Sequence, residues 1–390
     1  MMFAQTQLER PTRDSHMTAL LTDLQVIDRV FEHIDNQTTD LGDSEWLEPT
    51  ENYSSQARFE AEIALFKRLP VPFCPTVSLA KVGDYIARPV AGVPIIVVRD
   101  RDMKLRAFRN ACRHRGMTLA EGEGCTKVFT CGYHGWAYGL DGELQHIPHE
   151  QGFPDLDRQK HGLVPIHSVE EKGGLIFVCI DEPISQGALE DMPDLVTADL
   201  AVFAQSDVTS DFNWKLNIEA TQEGYHIKPT HPETFYPYGY DNLTVVETFG
   251  NNARVTFPFR RIEKLRDVPP PERNISGMVT YAYNIFPNAT LAVLSNHIAL
   301  SFSEPISPTR TRYFSYKLGV KADTSNEEQV ERMRRDASFV ADTGSKEDAE
   351  VVYRIQAGLD SGANEHFTYG RFEKAIVHFH KTLSGLLKKL

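Results

Sequence analysis

The sequence predicts an α+β protein: a small all-β region, then a larger region in which helices accompany an antiparallel sheet. Three observations carry this expectation. From Cys74 to about residue 183, short β-branched and aromatic runs alternate with Gly, Pro or Asp turns. Beyond that point, strand-like runs alternate with segments of helical period. The 390 residues are enough for two or three domains with buried cores.

In chain order, residues 17–34 space apolar side chains at three and four, which predicts an amphipathic helix. A polar stretch to residue 55 predicts a loop. "QARFEAEIALFKRLP" predicts a second helix, stopped by Pro70. "DYIARPV", "VPIIVVRD", "LRAFRNAC", "DGEL" and "KGGLIFVCI" predict the strands of the all-β region. "ISQGALEDMPDL" reads as a connection. Then come strands in "ARVTFPF", "MVTYAYNIF", "TLAVLSNHIALSFSEPI" and "TRYFSYKLGV". Helices are predicted near 217–228, 325–341 and 345–359, with one more at the C-terminus.

Composition is ordinarily globular, 41% hydrophobic and 24% charged, with a net charge of −13. Such an acidic balance argues against broad nucleic-acid binding. No run approaches the roughly 20 apolar residues of a membrane helix. The N-terminus has no apolar core of a signal peptide, so the expected location is the cytoplasm. Five cysteines (Cys74, Cys112, Cys125, Cys131, Cys179) argue against a disulfide framework and leave metal ligation open.

The densest chemistry lies in "ACRHRGMTL" and "CGYHGWAYGLDGELQH". Cys112-x-His114 is followed, after sixteen residues, by Cys131-x-x-His134. A Cys2His2 zinc site is one reading. The other is a Rieske [2Fe–2S] centre, in which two cysteines hold one iron and two histidines the other. Each half-loop must then supply one of each, as here. Gly116, Gly132 and Gly135 allow close backbone approach, and Tyr133, Trp136 and Tyr138 can wall off the cluster. These loops, with "DYIARPVAGVPIIVVRDRDMKLRAFRNAC", resemble those of the large (α) subunits of Rieske non-haem iron ring-hydroxylating oxygenases. The resemblance runs through nearly the whole chain and is weakest before residue 50. It implies a Rieske domain over 51–185, a helix-grip catalytic domain over 186–390, and an N-terminal helical segment, 1–50, packed on the latter.

A Rieske domain alone only carries electrons, so a destination is expected downstream. In "NWKLNIEATQEGYHIKPTHPET", His226 and His231 are five apart. On a regular helix they would stand roughly 140° apart. Sharing one metal requires a widened or broken helix, and Pro229 lies in the gap. A 2-His-1-carboxylate triad marks non-haem Fe(II) oxygenases, and the resemblance places the carboxylate on a later helix, here "SKEDAEVVYRIQAGL". Asp348 shares an apolar face with Val352, Ile355 and Leu359, whereas Glu347 shares a more polar one. Asp348 is therefore the expected ligand and Glu347 a solvated first-turn acid. Glu223, three before His226, orients that ring. The resemblance implies further that Glu223 bridges His226 to His134 of the next chain in a trimer. Glu at this position, where many members have Asp, matches a branch that includes quaternary-ammonium oxygenases.

Asn217, Phe286, Leu294 and His297 are candidate pocket residues, the last three from the apolar stretch 281–302. His378 and His380 read as structural. Arg113, Arg115 and Lys127 read as either solvated surface or a docking patch for an acidic electron donor. The resemblance implies a terminal oxygenase with a [2Fe–2S] cluster, Fe(II) and O2. Electrons come from NADH through a reductase, with or without a ferredoxin, and a separate β subunit is compatible with this. The apolar stretch favours a small aromatic or hydrophobic substrate; a quaternary-ammonium monooxygenase is the alternative. A Rieske electron carrier and a zinc-stabilised binding module are the readings from other classes.

Overall fold

The computed structural model describes residues 20–321, 326–342 and 344–390. The first three residues of the predicted N-terminal helix, and the stretch read for a signal peptide, lie outside the described residues. The helix itself runs Asp23–Asn36, because Thr22 and Gln25 form a capping box that starts it. Its buried face, Val26, Ile27, Val30 and Phe31, packs with Val245, Ile262 and Val279.

Seven antiparallel strands form the large sheet. Its order is Leu200–Ser210, Arg310–Val320, Ile298–Ser307, Ala289–Val293, Val279–Ile285, Asn252–Pro258 and Val245–Phe249. The C-terminal helix Lys374–Leu387 packs against it. Ala375, Phe379, Leu383 and Leu386 recur at four, four and three and are all buried. Membership of one large core runs from Leu65 to Leu386, so the two regions share apolar packing.

The all-β region holds three small sheets. One orders Leu105–Arg109, Val93–Arg99, Asp84–Val90 and Gly122–Cys125. A second pairs Leu175–Cys179 with Ser168–Lys172 and Val71–Pro75. The third, Phe129–Thr130, Ala137–Tyr138 and Leu144–His146, frames the second Cys/His loop.

Three expectations are corrected. The polar stretch before residue 55 contains a strand, Trp46–Pro49, paired with His366–Tyr369. Only that distant partner makes it a strand, so local composition was uninformative. The run 290–306 is two strands, split by the turn at 294–297. The helix near 217–228 is two short ones, Trp214–Ala220 and Ile227–Thr230. It stops where the Thr221 hydroxyl turns back to the Ile218 carbonyl (2.8 Å).

Candidate active site: two metal-binding regions

The first region is made by two loops that close in the same way. Gly116 N–H donates to the Cys112 carbonyl (2.9 Å), and Cys112 N–H to the Met117 carbonyl (2.8 Å). Likewise Gly135 N–H donates to the Cys131 carbonyl (3.0 Å), and Cys131 N–H to the Trp136 carbonyl (2.8 Å). Gly116 and Gly135 hold φ of +79° and +73°, which L side chains rarely adopt. At Gly135 a Cβ would also press on Pro148 at 3.0 Å.

Matching turns thus present two thiols and two imidazoles. Cys112 and Cys131 are buried in a small core with Trp136, Tyr138 and Leu144. His114 is half-buried and His134 exposed, with their ring centroids 4.6 Å apart. Trp136 stacks on His114 at 5.0 Å and 9°. Tyr138 accepts from the Arg113 N–H (2.9 Å) and sits 3.3 Å from Cys112 Sγ. Two thiols and two imidazoles are the donor set of a Rieske two-iron cluster. The loops do not gather around one ion: among the described residues, only His226, His231 and Asp348 bring three such ligand atoms within 4.8 Å of one another. That disfavours the zinc reading.

The second region is that trio. His226 and His231 cap the two ends of the four-residue helix Ile227–Thr230. Pro229 does not break a helix between them. It occupies the first turn, where its missing N–H has no intrahelical partner to lose. The helix Gly344–Leu359 brings Asp348 from the far end of the chain. Its Oδ1 lies 2.8 Å from His231 Nε2 and 3.5 Å from His226 Nε2.

Each imidazole is held from behind by an acid. Glu223 accepts from His226 Nδ1 and from the backbone N–H groups of Tyr225 and His226. It reaches the ring from a turn before the helix, not along a helical face. Glu347 accepts from His231 Nδ1 (2.6 Å) and from the Thr234 hydroxyl (2.7 Å). With both Nδ1 atoms committed, both Nε2 lone pairs face Asp348. His231 Nε2 is buried and makes no hydrogen bond of good angle despite the nearby carboxylate. A cation between the three fits this convergence.

Electrostatics agree. Burial pushes the His226 pKa down, but Asp348 and Glu223 outweigh it and hold the ring at about 10. Burial pushes the Asp348 carboxyl up, and His226 and His231 bring it below its usual value. A field that retains protons this strongly also favours a divalent cation in their place.

Glu347 is thus not a solvated acid, which corrects the sequence expectation. In the first turn of its helix, both 347 and 348 reach the same histidine, one at each ring nitrogen. Helical phase could not show that. The phase itself also shifts: Val352 and Gln356 are buried, whereas Ile355 is 37% exposed. Thr234 and Phe235, whose ring lies 4.8 Å from His231, carried no sequence signal at all.

The candidate pocket residues scatter. Phe286 is buried and packs on Phe379 in the large core. Ile285, Ala289, Leu291, Leu300 and Phe302 join it there, so the apolarity of 281–302 reflects core packing. Leu294 and His297 lie in the turn between two strands, joined by a backbone hydrogen bond of 2.9 Å. Asn217 is half-buried on the helix preceding His226 and His231. His380 is structural, as expected, bonded to Glu219 at 3.0 Å. Arg113, Arg115 and Lys127 are exposed, and Arg115 donates to the Tyr133 hydroxyl (3.1 Å).

A loop pair carrying two thiols and two imidazoles, together in one chain with a two-histidine, one-carboxylate trio, is the donor pattern of a two-centre iron oxygenase. Comparison with known proteins agrees. Residues 70–162 match the Rieske [2Fe-2S] domain, and residues 197–389 match the ring hydroxylating alpha subunit (catalytic domain). The chain belongs to the Rieske non-haem iron ring-hydroxylating oxygenases, as a large (α) subunit.

The chain is 28% identical to the carnitine monooxygenase oxygenase subunit of Escherichia coli K12 over 382 residues, 88% of this chain and 94% of that protein. A stretch of 165 residues is 35% identical to the glycine betaine monooxygenase oxygenase subunit of Chromohalobacter salexigens, covering 40% of this chain and 37% of that one. The crystal structure of a quaternary ammonium Rieske monooxygenase in complex with L-carnitine superposes with a TM-score of 0.74 at 26% identity, over 88% and 96% of the two chains. Naphthalene 1,2-dioxygenase from Rhodococcus shares the fold, with a TM-score of 0.72 at 18% identity over 93% and 98%. The protein is therefore the terminal oxygenase of a system using a [2Fe–2S] cluster, non-haem iron, O2 and reductase-delivered electrons from NADH. Among the described residues no helix is long and apolar enough to cross a membrane.

Proposed function

We propose that this chain is a cytoplasmic, homotrimeric monooxygenase acting on a small quaternary ammonium compound. The observation that carries the reading is similarity to a carnitine monooxygenase oxygenase subunit over 88% of this chain and 94% of that protein. The aromatic-substrate reading loses much of its sequence support, because Phe286 and several other apolar residues of the stretch that favoured it pack in the core. A quaternary nitrogen donates no hydrogen bond, so recognition falls to aromatic faces and nearby carboxylates.

In this reading His226, His231 and Asp348 hold Fe(II), and Cys112, His114, Cys131 and His134 hold the cluster. The mononuclear iron supplies O2 activation when bound. The chain's own residues do the positioning. Glu223 and Glu347 fix both imidazoles with Nε2 inward. Glu223, already bonded to His226, would also reach His134 of a neighbouring copy and so would link the residues that would hold the two metal centres. One oxygen atom enters a C–H bond beside the nitrogen; the other leaves as water, using two electrons and two protons. The resulting carbinol loses its hydroxyl proton and expels the tertiary amine with the C–N electron pair, leaving an aldehyde.

The test is turnover with a reconstituted reductase and NADH on matched panels of quaternary ammonium and aromatic compounds. Tertiary amine and aldehyde in equal amounts are expected from the first panel. A cis-diol or phenol from the second, with no amine released from the first, would overturn the substrate class while leaving the family untouched.

A further inference from the structure

Arg88 is a charged side chain that the chemistry above leaves without a task. It lies on the strand Asp84–Val90 and is only 8% exposed. Its guanidinium sits over Phe314 at 4.2 Å, Phe73 at 4.5 Å and Phe302 at 5.0 Å. The rings favour a cation but accept no in-plane hydrogen bond. The Nε proton is shut off from water and has no hydrogen-bond acceptor among the described residues, and the charge of Glu304 acts on the guanidinium without a hydrogen bond. Glu304, buried two residues from Phe302, is committed elsewhere. Its oxygens accept from Ala91 N–H (3.1 Å) and Gly92 N–H (2.8 Å). A buried charge is costly unless paired, so an arginine left this way is waiting for an acceptor.

Arg88 lines a groove of about 620 Å³ between the four-stranded sheet and the outer strands Leu200–Ser210 and Arg310–Val320. No residue of the metal trio lines it, and its size suits a small molecule. Arg312 stands in it already paired with Asp207 through contacts of 2.7 and 2.6 Å. Glu121 and Glu123 are exposed lining residues. An occupant with its anionic group at Arg88 and a neutral or cationic remainder suits this distribution. Asn110 lines the groove and holds the segment after the first cluster loop, accepting from Leu119 N–H (2.8 Å) and donating to the Ala120 carbonyl (2.7 Å). An occupant therefore bears on the loop that carries Cys112 and His114.

We propose that this groove binds a small oxyanion, a carboxylate or phosphate on a compact body, with Arg88 as its anchor. The bidentate geometry of guanidinium suits both groups.

The experiment uses the holoenzyme with both metal centres, inorganic phosphate and butyrate as probes, and sodium chloride at matched ionic strength as control. A saturable rise in melting temperature with at least one probe is expected, with slowed hydrogen exchange over residues 86–90 and 312–316. Arg88→Met should weaken binding at least tenfold, and Arg88→Lys should keep most of it. No saturable effect of either probe on the parent would overturn the proposal, as would an equal effect in Arg88→Met. If Arg88→Met instead splits the oligomer, the acceptor is a carboxylate of a second copy and a free ligand is excluded. The exchange measurement needs no variant, so a misfolded Arg88→Met leaves the proposal open to refutation.

Discussion

The two metal regions use histidine in opposite ways. In the loop pair, each half brings its own cysteine and histidine within four residues, and two backbone hydrogen bonds close each turn. The trio draws on residues 226, 231 and 348, and its geometry rests on acids behind the ligands. The first is a local device that can form wherever its turns form. The second exists only when a distant helix docks. Hence the cluster loops should tolerate change in the large sheet, while the trio should be sensitive to everything that seats Gly344–Leu359.

Removing a thiol should have the largest effect. Cys112→Ala or Cys131→Ala is expected to abolish the cluster's visible absorption and all turnover, because each removes one of the two thiols buried between the loops. A spectrum like the parent's in either variant would break the local half of the comparison.

Glu223→Gln comes next. Exchanging the carboxylate for an amide removes a charge-assisted acceptor from His226. Both metals and the oligomer should persist, while single-turnover electron transfer from the reduced cluster falls by orders of magnitude. Rapid-mixing absorption spectroscopy reads the rate directly.

These two predictions also mark what could be read from the sequence. The candidate cluster residues Cys112, His114, Cys131 and His134 stand out in the sequence because each Cys and His pair lies within four residues. His226 and His231 were legible as a pair, and Asp348 as the carboxylate facing inward. Glu347 was misread, because whether it meets His231 depends on how one helix end docks over another, 116 residues away. The strand Trp46–Pro49 was missed for a related reason: its partner is more than 300 residues downstream. The apolar run 281–302 was read as a pocket when much of it fills the core, because hydrophobicity alone does not distinguish a wall from an interior.

Glu347→Ala sharpens the distal half. Loss of the acceptor for His231 Nδ1 should lower iron affinity or turnover roughly 10–100-fold, measured by iron titration and by initial rate. The cluster spectrum should not move.

The smallest effect concerns Glu373. Burial pushes its carboxyl up, and the charges of Glu223 and Glu219 add to this, to about 7. A folded-state pKa above the unfolded value means the native state binds more protons between the two. Stability from this group is therefore present at low pH and lost as pH rises from about 4.5 towards 7. Glu373→Gln should melt progressively higher than the parent across that window, by differential scanning calorimetry. A constant offset at every pH would show that Glu373 ionises freely.

One chain should carry two separable iron centres, one held by local loops and one by a docked carboxylate. Iron analysis combined with the visible spectrum of Asp348→Ala tests it most directly. Iron should fall from about three per chain to about two, with an unchanged cluster spectrum and no oxygenation. An Asp348→Ala enzyme that keeps the third iron and its activity, or that loses the cluster along with the mononuclear iron, would contradict it.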